Sequence, residues 1–135
     1  MLTSIKRDIT KQRCFFDKIS ERDFIIYEPF LFDVELIGIL RRKYNEKVVY
    51  EILVDLKGKI EVLDETSTHK LALDIAMKTH CRAVDAYFIS TAKLTNSILV
   101  TNDRVMANNA KRYGIEAYYL IEDFDKVIKR LKELK

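Results

Sequence analysis

Three carboxylates in this 135-residue sequence have apolar neighbours where water-facing residues would be ordinary. Glu35 lies within "LFDVELIGIL", and the residues three and four positions away are Leu31, Phe32, Gly38 and Ile39, which puts it on an inward-looking helix face. Asp85 repeats the situation, with Phe88, Ile89 and Ala92 three, four and seven positions on. Asp103 comes just after the run "SILV", at the carboxyl end of a strand, where open parallel sheets bind their ligands. An ionised carboxylate on an apolar face costs several kcal/mol unless a partner or a metal compensates it. Three that converge also repel one another, and a divalent cation removes that repulsion. Oxygen-only ligands favour magnesium or manganese over zinc. Each acid has a purely structural reading as well: Asp103 as the N-cap of a helix at 104–113, Asp85 as a first-turn acid, and Glu35 as the partner of Arg42.

The elements that must position these acids alternate along the chain. "DITKQRCFFDKIS" at 8–20 reads as a helix, with Ile9, Phe16 and Ile19 on one stripe, and "FIIY" at 24–27 as a buried strand. Pro29 fits the first turn of a helix over 29–44, and Asn45 caps another over 46–57 that Gly58 ends. "KIEVLD" at 59–64 is a strand, and Thr66, Ser67 and Thr68 cap a helix carrying Leu71, Ala72, Ile75 and Ala76. A helix over 82–95, a strand at 97–100, a helix over 104–113 stopped by Gly114, a strand at 115–120 and a helix over 125–134 complete the order. The expected fold class is α/β, a parallel sheet with helices on both faces and about four recognisable strands.

Composition sets the outer bounds. Hydrophobic residues make up 48% and charged residues 33%, with three Gly and one Pro, so one globular domain over 1–135 is expected. No apolar run approaches the roughly 20 residues of a membrane helix, and no basic segment with an apolar one behind it opens the chain. A soluble, cytoplasmic protein that does not touch a membrane is the expectation. Cys14 and Cys81 form no CxxC and lie far from both histidines, so free thiols are expected, a structural disulfide being the alternative. The net charge of +3 is too small to announce a nucleic-acid binder. Local clusters at Arg41, Arg42 and Lys43, at Lys111 and Arg112, and at Lys126, Lys129, Arg130 and Lys132 read first as solvated helix faces. His69 and His80 read as helix-surface residues.

Taken together, Pro29, Glu35 with "LIGILRR", then "RAVDAYFISTAKL", then "ILVTND" followed by a helix, Gly114 and a strand resemble the PIN-domain ribonucleases, including the toxin halves of VapBC-type pairs. The resemblance covers about residues 8–121. It implies a parallel sheet flanked by helices and metal-dependent cleavage of RNA, with a magnesium or manganese ion held by Glu35, Asp85 and Asp103. Thr101 and Asn102 would support that site, and Arg41, Arg42, Lys43, Lys111 and Arg112 would flank the RNA. It also implies an antitoxin partner and a homodimer, which the helix over 29–44, apolar almost all round, would serve.

The sequence departs from the pattern at its start. PIN domains open with an apolar strand ending in Asp, whereas this chain opens "MLTSIKRDI", and Asp8 reads as an N-cap. In the family that strand lies mid-sheet, between the strands matched here by 24–27 and 97–100. A segment upstream of Met1, "MLTSI" in strand form, or a segment of another subunit would have to fill the gap, the first being favoured. The expectation for the present chain is a weakened metal site and weak or absent ribonuclease activity. A catalytically impaired PIN-like module that docks RNA or an antitoxin peptide is the alternative function. A receiver-like domain would need an acidic pair closing its first strand and a lysine after a late strand, and the sequence has neither.

Overall fold

A computed structural model describes residues 24–134 of the chain. The helix expected at 8–20, the "MLTSI" segment, Asp8 and Cys14 lie outside the described residues. Ile26–Pro29 forms strand β1, Phe32–Leu40 helix α1, Glu46–Lys57 α2, Ile60–Leu63 β2 and Glu65–Thr79 α3. Ala83–Thr95 forms α4, Leu99–Thr101 β3, Arg104–Arg112 α5, Ala117–Tyr119 β4 and Leu120–Glu133 α6. The fold is α/β with short parallel strands, as the alternating pattern implies.

Strand β1 pairs with β2, Ile26 opposite Ile60 and Pro29 opposite Leu63. Strand β3 pairs with β4, Leu99 opposite Ala117 and Thr101 opposite Tyr119. Both pairs are parallel, and among the described residues they make two two-stranded ribbons rather than one continuous sheet. A cavity of about 620 Å³ separates them, lined by residues 24–29 along β1 and by Ile98, Leu99 and Val100 along β3, with Phe88, Thr91 and Ala92 from α4 and Leu131 from α6. With about 3.3 Å of rise, 4.8 Å between strands and 10 Å between layers, one residue of sheet fills roughly 160 Å³, so the cavity has room for about four extended residues.

The β3–β4 ribbon carries the larger core because neighbouring strand residues point to opposite faces. On one face Leu99 and Ala117 pack with Ala72 and Ile75 of α3, Phe88, Ile89 and Ala92 of α4, and Met106 and Ala110 of α5. On the other, Val100 packs with Leu120, Val127 and Leu131 of α6. The β1–β2 part has its own smaller cluster, Phe32, Leu36 and Leu40 of α1 against Val49 and Leu53 of α2. Phe30 joins the two parts by meeting Tyr87 of α4 edge to face, centroids 5.0 Å apart. No helix among the described residues is long and apolar enough to cross a membrane.

Several local expectations shift. Pro29 closes β1 instead of opening a helix, and α1 starts at Phe32. A residue without an N–H is tolerated at a strand end, where no further ladder bond is needed. Asp64, not the Thr66–Thr68 cluster, caps α3: its Oδ1 accepts from the Ser67 N–H at 2.8 Å and from the Ser67 hydroxyl at 2.7 Å. A carboxylate reaches the third amide of a helix better than residues already inside its first turn. Asn45 caps α2 as expected, accepting from the Val48 N–H at 3.0 Å. The last helix begins at Leu120 and bends at Asp123, where φ is −105° and ψ is 19°.

Candidate functional site

Strand β3 ends at Thr101, and the chain turns at once into α5. The Thr101 hydroxyl accepts the Asp103 N–H at 3.0 Å, and Asp103 Oδ1 accepts the Met106 N–H at 3.0 Å. Asp103 is therefore the N-cap of α5, and one of its oxygens is committed to that role. The other, Oδ2, lies 3.0 Å from Nη2 of Arg82. That same nitrogen lies 3.3 Å from Oδ1 of Asp85.

Asp85 sits in the first turn of α4, fully buried, and its second oxygen Oδ2 has no hydrogen-bond partner. The helix N-terminus favours a negative charge there. Burial nonetheless pushes the Asp85 carboxyl above its ordinary value; Arg82 opposes the shift, Asp103 adds to it, and the Asn109 side chain opposes it weakly. Arg82 in turn holds its proton more tightly, chiefly because of Asp85.

Glu35 is half-buried in the first turn of α1. Burial raises its pKa, and the charges of Asp103 and Asp85 raise it further, which places the three acids in one electrostatic neighbourhood. Glu35 and Arg42 form no ion pair. Among the described residues, however, no three His, Cys, Asp or Glu side chains stand close enough together to hold an ion. The geometry is a pair, Asp85 and Asp103, with Arg82 across it and Glu35 facing it from the other part of the molecule.

The pair fits a hard divalent cation on two grounds. Its donors are carboxylate oxygens only, and Asp85 keeps a buried oxygen, Oδ2, that makes no full hydrogen bond, although the Asn109 side chain lies near enough to the carboxylate to favour its charged form. A positive nitrogen already rests between the two carboxylates.

The remaining expected residues fall in different places. Thr101 and Asn102 are buried beside Asp103, Thr101 spending its hydroxyl on the turn. Arg41, Arg42 and Lys43 are exposed in the turn after α1, where Arg41 Nη1 donates to the Tyr44 carbonyl at 3.0 Å. Lys111 and Arg112 end α5, roughly 12 Å along the helix from Asp103. Arg112 also has a structural task, donating to the Thr79 carbonyl at 3.3 Å and to Asn109 Oδ1 at 3.4 Å. His69 is exposed and its Nδ1 meets the Tyr87 hydroxyl at 2.8 Å, while His80 ends α3 in the left-handed region, φ 60°. Cys81 is a free thiol.

Two residues of the site escaped the sequence pattern. In the sequence Arg82 marks only the start of a helix, since its link to Asp103 spans 21 positions. Glu28, next to last in β1, is 1% exposed and has its carboxyl raised first by burial and further by Glu35. Its place beside "FIIY" was the available signal, as an acid at the end of a buried strand.

Residues 7–112 match the PIN domain family. The chain belongs to the PIN domain family. Membership places it among nuclease domains in general, and PIN domains generally use divalent metal ions. A KH and PIN-domain containing protein of Methanocaldococcus jannaschii, itself described as uncharacterized, is 28% identical over 112 residues. The match covers 76% of this chain and 16% of that relative, so the PIN domain described here corresponds to about a sixth of it. No solved structure matches the chain.

Proposed function

We propose that the protein is a divalent-cation-dependent endoribonuclease whose acids are Asp85, Asp103 and Glu35. The observation that carries this reading is the buried Asp85 carboxylate held against Asp103 by one cationic nitrogen, with an oxygen to spare. A bound magnesium or manganese would supply Lewis acidity and a more acidic water for in-line attack on a phosphodiester. The chain's own contribution is positional. The α5 cap fixes Asp103, the first turn of α4 fixes Asp85, and Glu35 faces both from α1. RNA as the polymer is supported by the Methanocaldococcus relative, which joins a PIN domain to a KH domain; KH domains clamp single-stranded nucleotides. The exposed Arg41, Arg42 and Lys43 are the candidates for backbone contacts.

The test is cleavage of single-stranded RNA while magnesium or manganese is titrated. Asp85→Asn is expected to lower the rate by about a hundredfold or more, since even residues that merely orient metal ligands cost ~10–100-fold. Wild-type cleavage that survives EDTA would overturn the reading. Binding of RNA without cleavage at any cation concentration would favour the impaired module instead.

The toxin assignment and the dimer are part of the same proposal. Val34 and Ile37 of α1 and Tyr50 and Val54 of α2 are exposed, Val34 at 71%, and a second copy covering them would hide apolar surface. A monomer by light scattering at high concentration would remove the dimer.

A further inference from the structure

Arg82 is the first residue before α4, and its side chain is 69% exposed, yet its tip reaches over two carboxylates that are 0% and 20% exposed. A single nitrogen makes both contacts, at 3.3 and 3.0 Å, instead of presenting a two-pronged fork to either acid. Charge-assisted bonds of the strong kind run at about 2.7–2.9 Å and are often bidentate. The guanidinium is therefore attached loosely, by its edge, from the solvent side, where water screens the attraction. Beneath it the arginine leaves Oδ2 of Asp85 untouched, and that oxygen makes no full hydrogen bond to the Asn109 side chain nearby, so the arginine does not exhaust the site.

We infer that Arg82 is an exchangeable counter-ion: it neutralises Asp85 and Asp103 while no metal is bound, yields its place to a divalent cation, and then pairs with the phosphate of the bound RNA. This rests on the cation-dependent reading above. A divalent ion carries twice the charge of the guanidinium, and the carboxylates of Asp85 and Asp103 would hold it. Displacement costs Arg82 little, because its stem is already in water and its planar fork suits a phosphate better than it suits two carboxylates held from one corner. The exchange couples the two ligands of the site. Cation binding frees the group that grips the substrate, and substrate keeps that group from returning to the acids.

Calorimetric titration of manganese in the absence of RNA separates the alternatives. Arg82→Gln, which keeps length and removes charge, is expected to bind manganese about tenfold more tightly than wild type, within the usual range for coupled sites. Arg82→Lys keeps the charge and is expected to stay near wild type. With manganese present, Arg82→Gln is expected to bind a 2′-O-methyl oligoribonucleotide more weakly, and the slope of log affinity against log salt should fall by about one, the signature of one lost phosphate contact. A residue that merely braced the fold would leave that slope unchanged. Manganese binding by wild type with no gain in Arg82→Gln would overturn the counter-ion role alone. Manganese binding by neither protein would overturn it together with the cation reading.

Discussion

Residues 64–134 and residues 24–63 bury their apolar side chains to different depths. In the first region Ile75, Ile89, Met106, Ala107, Ala110 and Val127 lose all contact with solvent, and both faces of the β3–β4 ribbon are covered. In the second, Pro29 at the seam with the other region is almost fully buried, but the best-buried residues of its own helix-pair cluster, Leu36 and Val49, keep 3% exposure. Among the described residues, seven of the thirteen large hydrophobic side chains left exposed fall in the shorter region, Val34 and Tyr50 among them. The candidate site straddles the division. Asp85 and Asp103 stand on the deeply packed region and Glu35 on the lightly packed one, so two acids are held by a core and the third depends on how the other ribbon sits.

Truncating the core is the strongest way to break that contrast. Ile89→Ala, at a site with no exposure, is expected to cost near the top of the ~2–5 kcal/mol range for such deletions, and Leu36→Ala near the bottom. Urea unfolding of both variants checks this, and equal losses would mean that the two regions are packed alike. A smaller effect concerns Asp85 itself. Burial raises its folded pKa, so its ionised form weighs on the native state once pH rises above that value, and the burden is absent below the unfolded value of about 3.9. In EDTA, Asp85→Asn is therefore expected to melt about 3 °C higher than wild type at pH 7, corresponding to about 1 kcal/mol, with the gap closing as pH falls toward 4. A variant no more stable at pH 7 would mean that Arg82 compensates the buried charge fully. The smallest effect is local. Asn45→Ala and Asp64→Ala each remove one helix cap, one in each region, and each should cost about 1 kcal/mol in the same unfolding assay. A much larger loss at Asp64 would tie that cap to the deeper core.

The sequence displayed the acids but not their arrangement. Glu35, Asp85 and Asp103 stood out because apolar spacing surrounded them, a signal that survives without any tertiary knowledge. Arg82 did not stand out, because an exposed arginine at a helix start is ordinary until α4 and α5 bring their first turns together. Element order and type were readable from periodicity. Boundaries were not, wherever one residue had two uses: Pro29 suits a strand end as well as a helix start, and Asp64 could extend β2 but caps α3 instead. The family resemblance gave the place of the missing strand, between 24–27 and 97–100, within one expected sheet; the two separate ribbons among the described residues, and the room for about four extended residues between them, are tertiary features that no local pattern encodes.

The pairing registers also bear on the order in which the molecule assembles. Leu99 and Ala117 are 18 positions apart, Ile26 and Ile60 are 34 apart. Nearly doubling the loop adds only about 0.6 kcal/mol of closure entropy, so chain length does little to rank the two ribbons. Burial ranks them instead, since closing β3 on β4 lets two clusters condense and closing β1 on β2 lets one. The carboxyl ribbon is therefore expected to nucleate folding, which refolding kinetics would check by Ile89→Ala slowing folding more than Leu36→Ala does, and a chain folded only that far would already set Asp85 and Asp103 side by side. In that order Glu35 would arrive with the later ribbon, and the set of acids would be complete only in the finished fold.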